Sequence, residues 1–448
     1  MNHSFYLVVG LGKTGLSIAR YLQQNNQAFV LFDTRKDAAG ISECQVEFPS
    51  VPLYLEELPE LVFAQVTEII TSPGLSLDLP LFVKARQRGL PVYGDIECLA
   101  RAIKAPVIAI TGTNGKSTVT TLVGEMAKAA GIRVAVAGNI GTPVLQLLGD
   151  GESYDLWVLE LSSFQLDLTS SLNAQVATVL NISPDHLDRH HSLDGYVKAK
   201  QRIYHHAQYC LYNRDDEATR PDVTTDAPNA CYSFGFSAPV SDWEWGLIRQ
   251  GEQYFIAKGQ EQILAVDRLL IKGTHNWLNA LAACALADRA GIPQQAMQEV
   301  LTSFSGLKHR CQWVRTLNDV DWINDSKGTN IGATISAING VGSAMQGRIV
   351  LIAGGQGKGA DFHDLRQSVA DYVRTVVLIG EDAMKIEQAL CDVVSLSHAA
   401  SLEEAVMIAY QEAKAGDVVL LSPACASLDM FNDYNHRGEV FAAAVTGL

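Results

Sequence analysis

No stretch of this chain approaches the roughly 18 consecutive apolar residues that a helix needs to cross a bilayer. Its start, Met1-Asn2-His3-Ser4, runs into an apolar segment without a basic stretch and signal core. A cytoplasmic protein without membrane insertion is expected. Positive charge is scarce as well: 34 Lys and Arg stand against 49 Asp and Glu, a formal net charge of -15. Affinity for nucleic acid rests on cations displacing condensed counterions, so no nucleic-acid partner is expected and any phosphate must be held in local pockets. The eight cysteines, at 44, 98, 210, 231, 284, 311, 391 and 425, form no CxxC pair and no metal-ligand spacing. That argues against a disulfide framework or a cysteine metal site and leaves reduced core thiols. Low-complexity tracts and internal repeats of the solenoid kind are also absent.

What is present is apolar sequence in short runs. At 48% hydrophobic and 19% charged, the composition is that of a globular chain able to bury sizeable cores. Its 448 residues exceed one core, since domains run to roughly 100 to 200 residues. The first segment reads as strand Phe5 to Val9, a glycine loop, a helix over Leu16 to Leu22 and a strand Phe29 to Phe32 ending at Asp33, with further strands at Glu68 to Ile70 and Pro91 to Tyr93. A second segment restarts at Val107 to Ile110, continues into a helix reaching about Ala130, and repeats the pattern at Val134 to Ala137, Leu156 to Leu159 and Ala177 to Leu180. From Cys210 to Leu270 the pattern alternates and becomes aromatic, which predicts a peripheral antiparallel excursion, before helical composition returns at Trp277 to Arg289. The third segment follows Gly306, with strands at Trp322-Ile323, Ile349 to Ile352, Val376 to Ile379 and Val418 to Leu421. Near-continuous apolar strands separated by helices imply parallel sheets covered on both faces. The expectation is three consecutive α/β domains, residues 1–94, 95–306 and 307–448.

The strongest local signal is Thr111-Gly112-Thr113-Asn114-Gly115-Lys116-Ser117-Thr118 between a strand and a helix. Backbone N–H groups, a helix N-terminus and a lysine can there surround a polyphosphate, so it reads as an ATP loop. Ile110 stands where the common P-loop has its first glycine, which makes the match one to a shortened variant. Lys116 would neutralise charge on the β- and γ-phosphates and Ser117 would ligate Mg²⁺. Three further strand ends offer oxygen and nitrogen ligands: Glu160, Asp185-His186 and Lys200. Each alone has a plain reading, Glu160 as a capping or surface carboxylate and His186 as a turn histidine. Their order along the chain gives them weight. Gly10-Leu11-Gly12-Lys13-Thr14-Gly15 with Asp33 also fits a dinucleotide fingerprint, which by itself is a weak signal.

Taken together, the loop Thr111 to Thr118, the segment Leu159 to Gln165, the run Asp185-His186-Leu187-Asp188-Arg189 and Lys200 closely resemble the Mur ligases. The resemblance extends through His309-Arg310, Asn324 to Asn330, Gly354-Gly355-Gln356-Gly357-Lys358 and Leu421 to Asp429. Within that family the combination is similar to the branch that adds D-glutamate to UDP-N-acetylmuramoyl-L-alanine.

The resemblance implies a fold of three parts: an N-terminal Rossmann-like UDP-binding domain, a central parallel-sheet P-loop-type ATPase domain with a small antiparallel addition, and a C-terminal Rossmann-like α/β domain. It implies ATP and two Mg²⁺ ions, with Lys116, Ser117 and Glu160 at the phosphate and first ion, and His186 with a carbamylated Lys200 at the second. Asn276, Asn279, Arg310 and Asp325 match nucleotide positions, alongside Gly112, Thr113, Asn114, Gly115 and Thr118. The UDP-substrate positions are Lys13, Thr14, Asp33, Thr34, Arg35, Ser72 and Gly74, with Asn139 from the second domain. Lys13 stands where leucine is expected. Thr329, Lys358, Ser427, Leu428 and Tyr434 match residues holding D-glutamate, Tyr434 falling where phenylalanine is frequent. A second carboxylate needs a cation and hydroxyl donors, which Lys358, Ser427 and Thr329 offer. The protein is expected to be a monomer whose third domain closes around a loop near Gly306 to His309. An NAD-dependent dehydrogenase, a nucleotide-binding switch, a sister ligase for another amino acid and a folate polyglutamate synthetase stay open beside this reading.

Overall fold

The computed structural model describes residues 4–38, 40–222, 230–271, 273–343, 345–357 and 359–448, with the side chain of Asp188 left aside. Three sheets follow one another along the chain. The first has five parallel strands in the order Leu53–Leu55, Ala28–Asp33, Phe5–Val9, Glu68–Thr71 and Val92–Tyr93. Its central strand turns at Gly10 into the helix Lys13–Gln24, whose Leu16, Ile18, Ala19 and Leu22 are buried.

The second sheet has nine strands. Val134–Gly138, Leu156–Glu160, Val107–Thr111, Val176–Val179, Tyr209–Asn213 and Ala230–Phe234 run parallel in that spatial order. Trp245–Gln250, Gln253–Lys258 and Glu261–Ala265 then form an antiparallel meander at the edge. The excursion expected from Cys210 is therefore shorter than the alternating sequence suggested. Tyr209–Asn213 and Ala230–Phe234 extend the parallel sheet, with buried residues on both faces, so the change of pattern at Cys210 does not mark the start of the antiparallel part. Helix Thr274–Arg289, with every residue from Ala280 to Ala287 buried, packs against helix Lys116–Ala129 over this sheet.

The third sheet has six strands: Gln312–Leu317, Val320–Asn324, Val418–Leu421, Ile349–Gly354, Val373–Ile379 and Ser395–His398. All pairs are parallel except the first two strands, which form a hairpin. Every residue of Ile349–Gly354 and Val418–Leu421 is buried, as a strand covered on both faces requires.

The cores are not divided one per sheet. One apolar cluster contains Leu16, Leu22 and Phe29 from the first part and Val107, Trp157 and Leu159 from the second. The clusters around Ile349 and Val419 belong to the third part alone. The helix that follows the first sheet, Asp95–Ala102, is tied by polar contacts to both parts. Glu97 accepts from the Ser170 and Ser171 amides at 2.7 and 2.9 Å, and Arg101 lies over the Tyr93 ring while bonding Glu97. Among the described residues no helix is long and apolar enough to cross a membrane.

Candidate active site

Strand Val107–Thr111 lies between Val176–Val179 and Leu156–Glu160; the chain leaves it toward Val134–Gly138 on one side and leaves the neighbouring Val176–Val179 toward Tyr209–Asn213 on the other. Such a switch point opens a crevice beyond the strand ends. The loop Gly112 to Gly115 fills that crevice and starts helix Lys116–Ala129. Gly115 sits at φ +79°, and a Cβ there would lie 2.4 Å from Asn279 Oδ1, so only glycine fits between loop and helix Thr274–Arg289. The loop is braced from the next strand end. The Asn114 amide donates to Asn181 Oδ1 at 2.8 Å while Asn181 Nδ2 donates to the Asn114 carbonyl at 3.0 Å, and Thr113 Oγ1 accepts from the Ser183 amide.

Lys116 is folded back, its Nζ donating to the Gly112 and Thr113 carbonyls at 2.9 and 2.8 Å. Lys200, 2% exposed, comes not from a strand end as expected but from the last turn of helix Leu193–Gln201, and donates to the same Gly112 carbonyl at 2.8 Å. Burial pulls both amines below the usual lysine range, Lys200 well below, and the neighbouring Lys116 charge pushes Lys200 the same way. Glu160 ends its strand fully buried. Its Oε1 accepts from Asn139 Nδ2 at 3.0 Å, and its Oε2 has no hydrogen-bond partner among the described residues. A buried carboxylate oxygen left without a partner is a hard anionic donor of the kind that suits Mg²⁺, and the Ser117 hydroxyl in the first turn of helix Lys116–Ala129 is another hard oxygen.

His186 has a left-handed backbone, φ +52°, and its ring meets Phe164 edge-on at 5.0 Å. Phe164 is also stacked on His190 and lies under the Arg189 guanidinium. Arg189 reaches the first domain, donating to the Gly74 and Leu75 carbonyls at 2.9 Å each. Asp185 joins the third part, its Oδ2 accepting from Asn330 Nδ2 at 3.3 Å.

Across the crevice, Arg310 Nη2 donates to Ser117 Oγ. Asn279 Nδ2 donates to Asn276 Oδ1 at 3.0 Å. Asp325 accepts from Ser422 Oγ and the Cys311 amide, and burial raises its carboxyl to about 6. These residues surround a cavity of about 300 Å³ between the second and third parts, lined by Asn114, Gly115, Asn276, Asn279, Arg310 and Asp325 among others. Thr118 lines it too.

The other expected positions divide. Asp33 is fully buried, its oxygens accepting from the Leu11 amide at 2.8 Å and the Arg35 amide at 3.0 Å, so it shapes the glycine turn. Lys13 is exposed at the start of its helix beside Thr14, Thr34 follows Asp33, and the Ser72 amide donates to the Val9 carbonyl. These positions share one end of the first sheet. Asn139, expected with them, is bonded to Glu160. In the third part Thr329, Ser427 and Tyr434 lie on neighbouring segments. Ser427 is buried, Leu428 is 68% exposed, and the Tyr434 ring carries Lys327 Nζ 3.7 Å above it. Lys358 lies outside the described residues. Asn181, Arg189 and Lys327 were not singled out in the sequence. Their sequence context is visible, but their partners lie tens of residues away.

Three family models match the chain: a Mur ligase MurD-like N-terminal domain over residues 4–94, a Mur ligase middle domain over 110–287 and a Mur ligase glutamate ligase domain over 309–425. A UDP-N-acetylmuramoylalanine--D-glutamate ligase from Legionella pneumophila subsp. pneumophila (strain Philadelphia 1) is 67% identical over 448 residues, covering 100% of both chains. One of the same name from Pseudomonas aeruginosa is 50% identical over 445 residues, covering 99% of this chain and 98% of its own. Among solved structures, the UDP-N-acetylmuramate-alanine ligase MurC of Thermotoga maritima superposes with a TM-score of 0.61 at 17% identity, covering 99% of each chain. That likeness is one of fold. With all three parts matched and full-length relatives at these identities, the chain belongs to the Mur ligase family.

Proposed function

We propose that this protein is an ATP-dependent ligase that joins D-glutamate to the L-alanine carboxylate of UDP-N-acetylmuramoyl-L-alanine, releasing ADP and phosphate, in peptidoglycan precursor synthesis. The observation that carries the reading is the crevice itself: a braced phosphate loop on one wall and Arg310 with Asp325 on the other. The full-length relatives named for this reaction support the choice of amino acid. The division into domains 1–94, 95–306 and 307–448 belongs to the same proposal, supported by the three sheets.

A carboxylate is a poor electrophile at neutral pH, so the alanine carboxylate must first be converted to an acyl phosphate with the γ-phosphoryl group of ATP. The amides of Gly112 to Thr118 and the N-terminus of helix Lys116–Ala129 face the phosphates, and Lys116 can unfold from its two carbonyls to neutralise the charge that shifts between them. Arg310 reaches the same oxygens from the third domain, and Asn276 with Asn279 hold the adenine side. Ser117 and Glu160 would hold one Mg²⁺ and His186 with carbamylated Lys200 a second, whose charge, when bound, stabilises the phosphoryl oxygens in transfer. In the first domain, Lys13, Thr14, Asp33, Thr34, Arg35, Ser72 and Gly74 form the UDP end of the acceptor site, with Asn139 nearer the reacting end. Thr329, Lys358, Ser427, Leu428 and Tyr434 receive D-glutamate and direct its amine at the acyl carbon. Closing the second and third domains on the nucleotide excludes water, which would otherwise hydrolyse the acyl phosphate.

Phosphate release from ATP, measured with UDP-N-acetylmuramoyl-L-alanine across a panel of D- and L-amino acids, tests the proposal. Release is expected only with D-glutamate. Equal turnover with L-glutamate or L-lysine would overturn it.

A further inference from the structure

Arg437 is among the largest fully buried side chains in the molecule, at 0% exposure. It projects from the first turn of helix Tyr434–Thr446. A buried guanidinium is ordinarily paired with a carboxylate, because an unpaired charge loses its hydration without compensation. Among the described residues Arg437 has no ion-pair partner. Its Nε donates to Ser326 Oγ at 3.0 Å and its Nη2 to the Ser326 carbonyl at 2.7 Å. Both Nη1 and Nη2 donate to the Cys425 carbonyl at 3.2 Å, and Nη1 also reaches the Ala426 carbonyl at 3.4 Å.

Every one of these bonds ends on one of two segments that leave adjacent strands, Val320–Asn324 and Val418–Leu421. The first continues through Asp325 and Ser326 to Thr329; the second continues through Cys425 and Ala426 to Ser427 and Leu428. Without the guanidinium, few direct links join them: the Ala424 amide on the Gly328 carbonyl at 2.9 Å, the Asp325 amide on the Leu421 carbonyl and Ser422 Oγ on Asp325. The last two lie toward the strands; the first sits one residue before Thr329. Beside that Gly328 link, Arg437 is what ties Cys425 and Ala426, next to Ser427, to Ser326. Ala424 is held there at φ +62°, a left-handed conformation that a non-glycine residue keeps only when its neighbours impose it. The same helix closes the arrangement by accepting from Ser326 Oγ at the Tyr434 carbonyl, 2.8 Å.

We propose that Arg437 is a positioning residue for the amino-acid substrate: its planar fork sets the spacing of the Ser326 and Cys425-Ala426 segments, and through it the distance between the Thr329 and Ser427 hydroxyls that grip the far carboxylate. Only the guanidinium can do this, because a lysine at 437 offers three donors from one point and cannot span both segments. Arg437 itself touches neither substrate nor nucleotide. The inference rests on the D-glutamate reading above.

The test is steady-state phosphate release by the full-length protein with each of the three substrates varied in turn, for wild type, Arg437→Lys and Ser326→Ala. Wild-type turnover that depends on D-glutamate is the entry condition, and its failure sinks the functional reading before any variant is assayed. Given it, Arg437→Lys is expected to raise KM for D-glutamate at least tenfold, with KM for ATP and for the UDP-linked acceptor within twofold. Ser326→Ala, which removes the Nε contact and the tie to Tyr434, should raise KM for D-glutamate about threefold with the same selectivity. It decides the matter by the same criterion should Arg437→Lys not fold. An unchanged KM for D-glutamate, or a loss shared equally among the three substrates, would mean that Arg437 only holds the domain together and would overturn the inference.

Discussion

Lys116 and Lys200 donate to one and the same acceptor, the Gly112 carbonyl, at 2.9 and 2.8 Å. Two ammonium groups so close in a buried loop repel, and each loses hydration, so the arrangement favours one of them in a form other than a cation. Lys200 is the more deeply affected: burial and the Lys116 charge both hold its amine down. A neutral amine is nucleophilic and can add to CO₂, forming an N–C bond and releasing a proton, which turns a repelled cation into an anion beside Lys116.

Carbamylation of Lys200 is therefore expected in the active protein. Carbon-13 NMR of protein equilibrated with labelled bicarbonate should show one carbamate signal that Lys200→Ala lacks. The variant should lose at least ~100-fold in phosphate release, the scale of removing one charge-stabilising group. An unlabelled wild type, or an active Lys200→Ala, would reduce this lysine to a structural tie.

Lys116→Ala should behave differently. The side chain makes its two bonds to its own loop, and those carbonyls turn to water when it is removed, so stability should move by less than ~1 kcal/mol. Phosphate release should fall by two to three orders of magnitude, about the cost of losing a group aimed at developing charge. Thermal melting beside the release assay separates the two effects. A variant that melts normally and turns over normally would place the loop outside the reaction.

Asp95 gives a pH signature. It begins helix Asp95–Ala102 at the joint of the first two parts, 4% exposed, with Oδ1 unpartnered among the described residues. Burial raises its carboxyl from 3.8 to about 6. As pH rises, the unfolded chain releases this proton first, so stability is full below about pH 4, falls toward pH 6 and is level above. The loss is on the order of 3 kcal/mol, two pKa units at ~1.4 kcal/mol each. Asp95→Asn removes the titration. Its melting temperature should draw ahead of wild type between pH 4 and 6 and keep a constant lead to pH 8; a constant offset throughout would show that Asp95 is not the titrating group.

What could be read from the chain was local. The loop Gly112 to Thr118 declares itself by glycine spacing, and apolar runs such as Ile349 to Ile352 declare buried parallel strands. The strand Gln312–Leu317 was not foreseen, because its burial alternates only partly and its pairing with Val320–Asn324 is a hairpin over Asn318-Asp319, both at positive φ. The shared core of the first two parts could not be foreseen either: Leu16 and Trp157 are ordinary apolar residues until a fold brings them together. Arg437 lies 111 residues from Ser326, and nothing in its neighbourhood marks it as buried. The contact of Asn139 with Glu160 is likewise not visible in the sequence, 21 residues separating the two.

The entry to the third part rests on a wedge between His309 and Gly438. His309 is buried at φ +62°, directly before Arg310, and its ring lies against the helix Tyr434–Thr446 where Gly438 leaves room. A Cβ at 438 would stand 2.1 Å from His309 Nδ1, and the ring cannot retreat freely because Asn324 Nδ2 bonds both His309 Nδ1 at 3.1 Å and the Gly438 carbonyl at 2.8 Å. Gly438→Ala should therefore cost ~1–3 kcal/mol through overpacking, despite alanine being the better helix former. It should also raise KM for ATP, since the displaced loop carries the Arg310 that meets Ser117 across the crevice. His309→Gly removes the ring and suits the left-handed backbone. In that background the three nearest contacts of the added methyl, all with the His309 ring, are gone, so Gly438→Ala should cost far less, and a double-mutant cycle should give a coupling of at least ~1 kcal/mol. Additive effects on melting, with no coupling, would show that the contact yields cheaply and that Arg310 is placed by something other than this wedge.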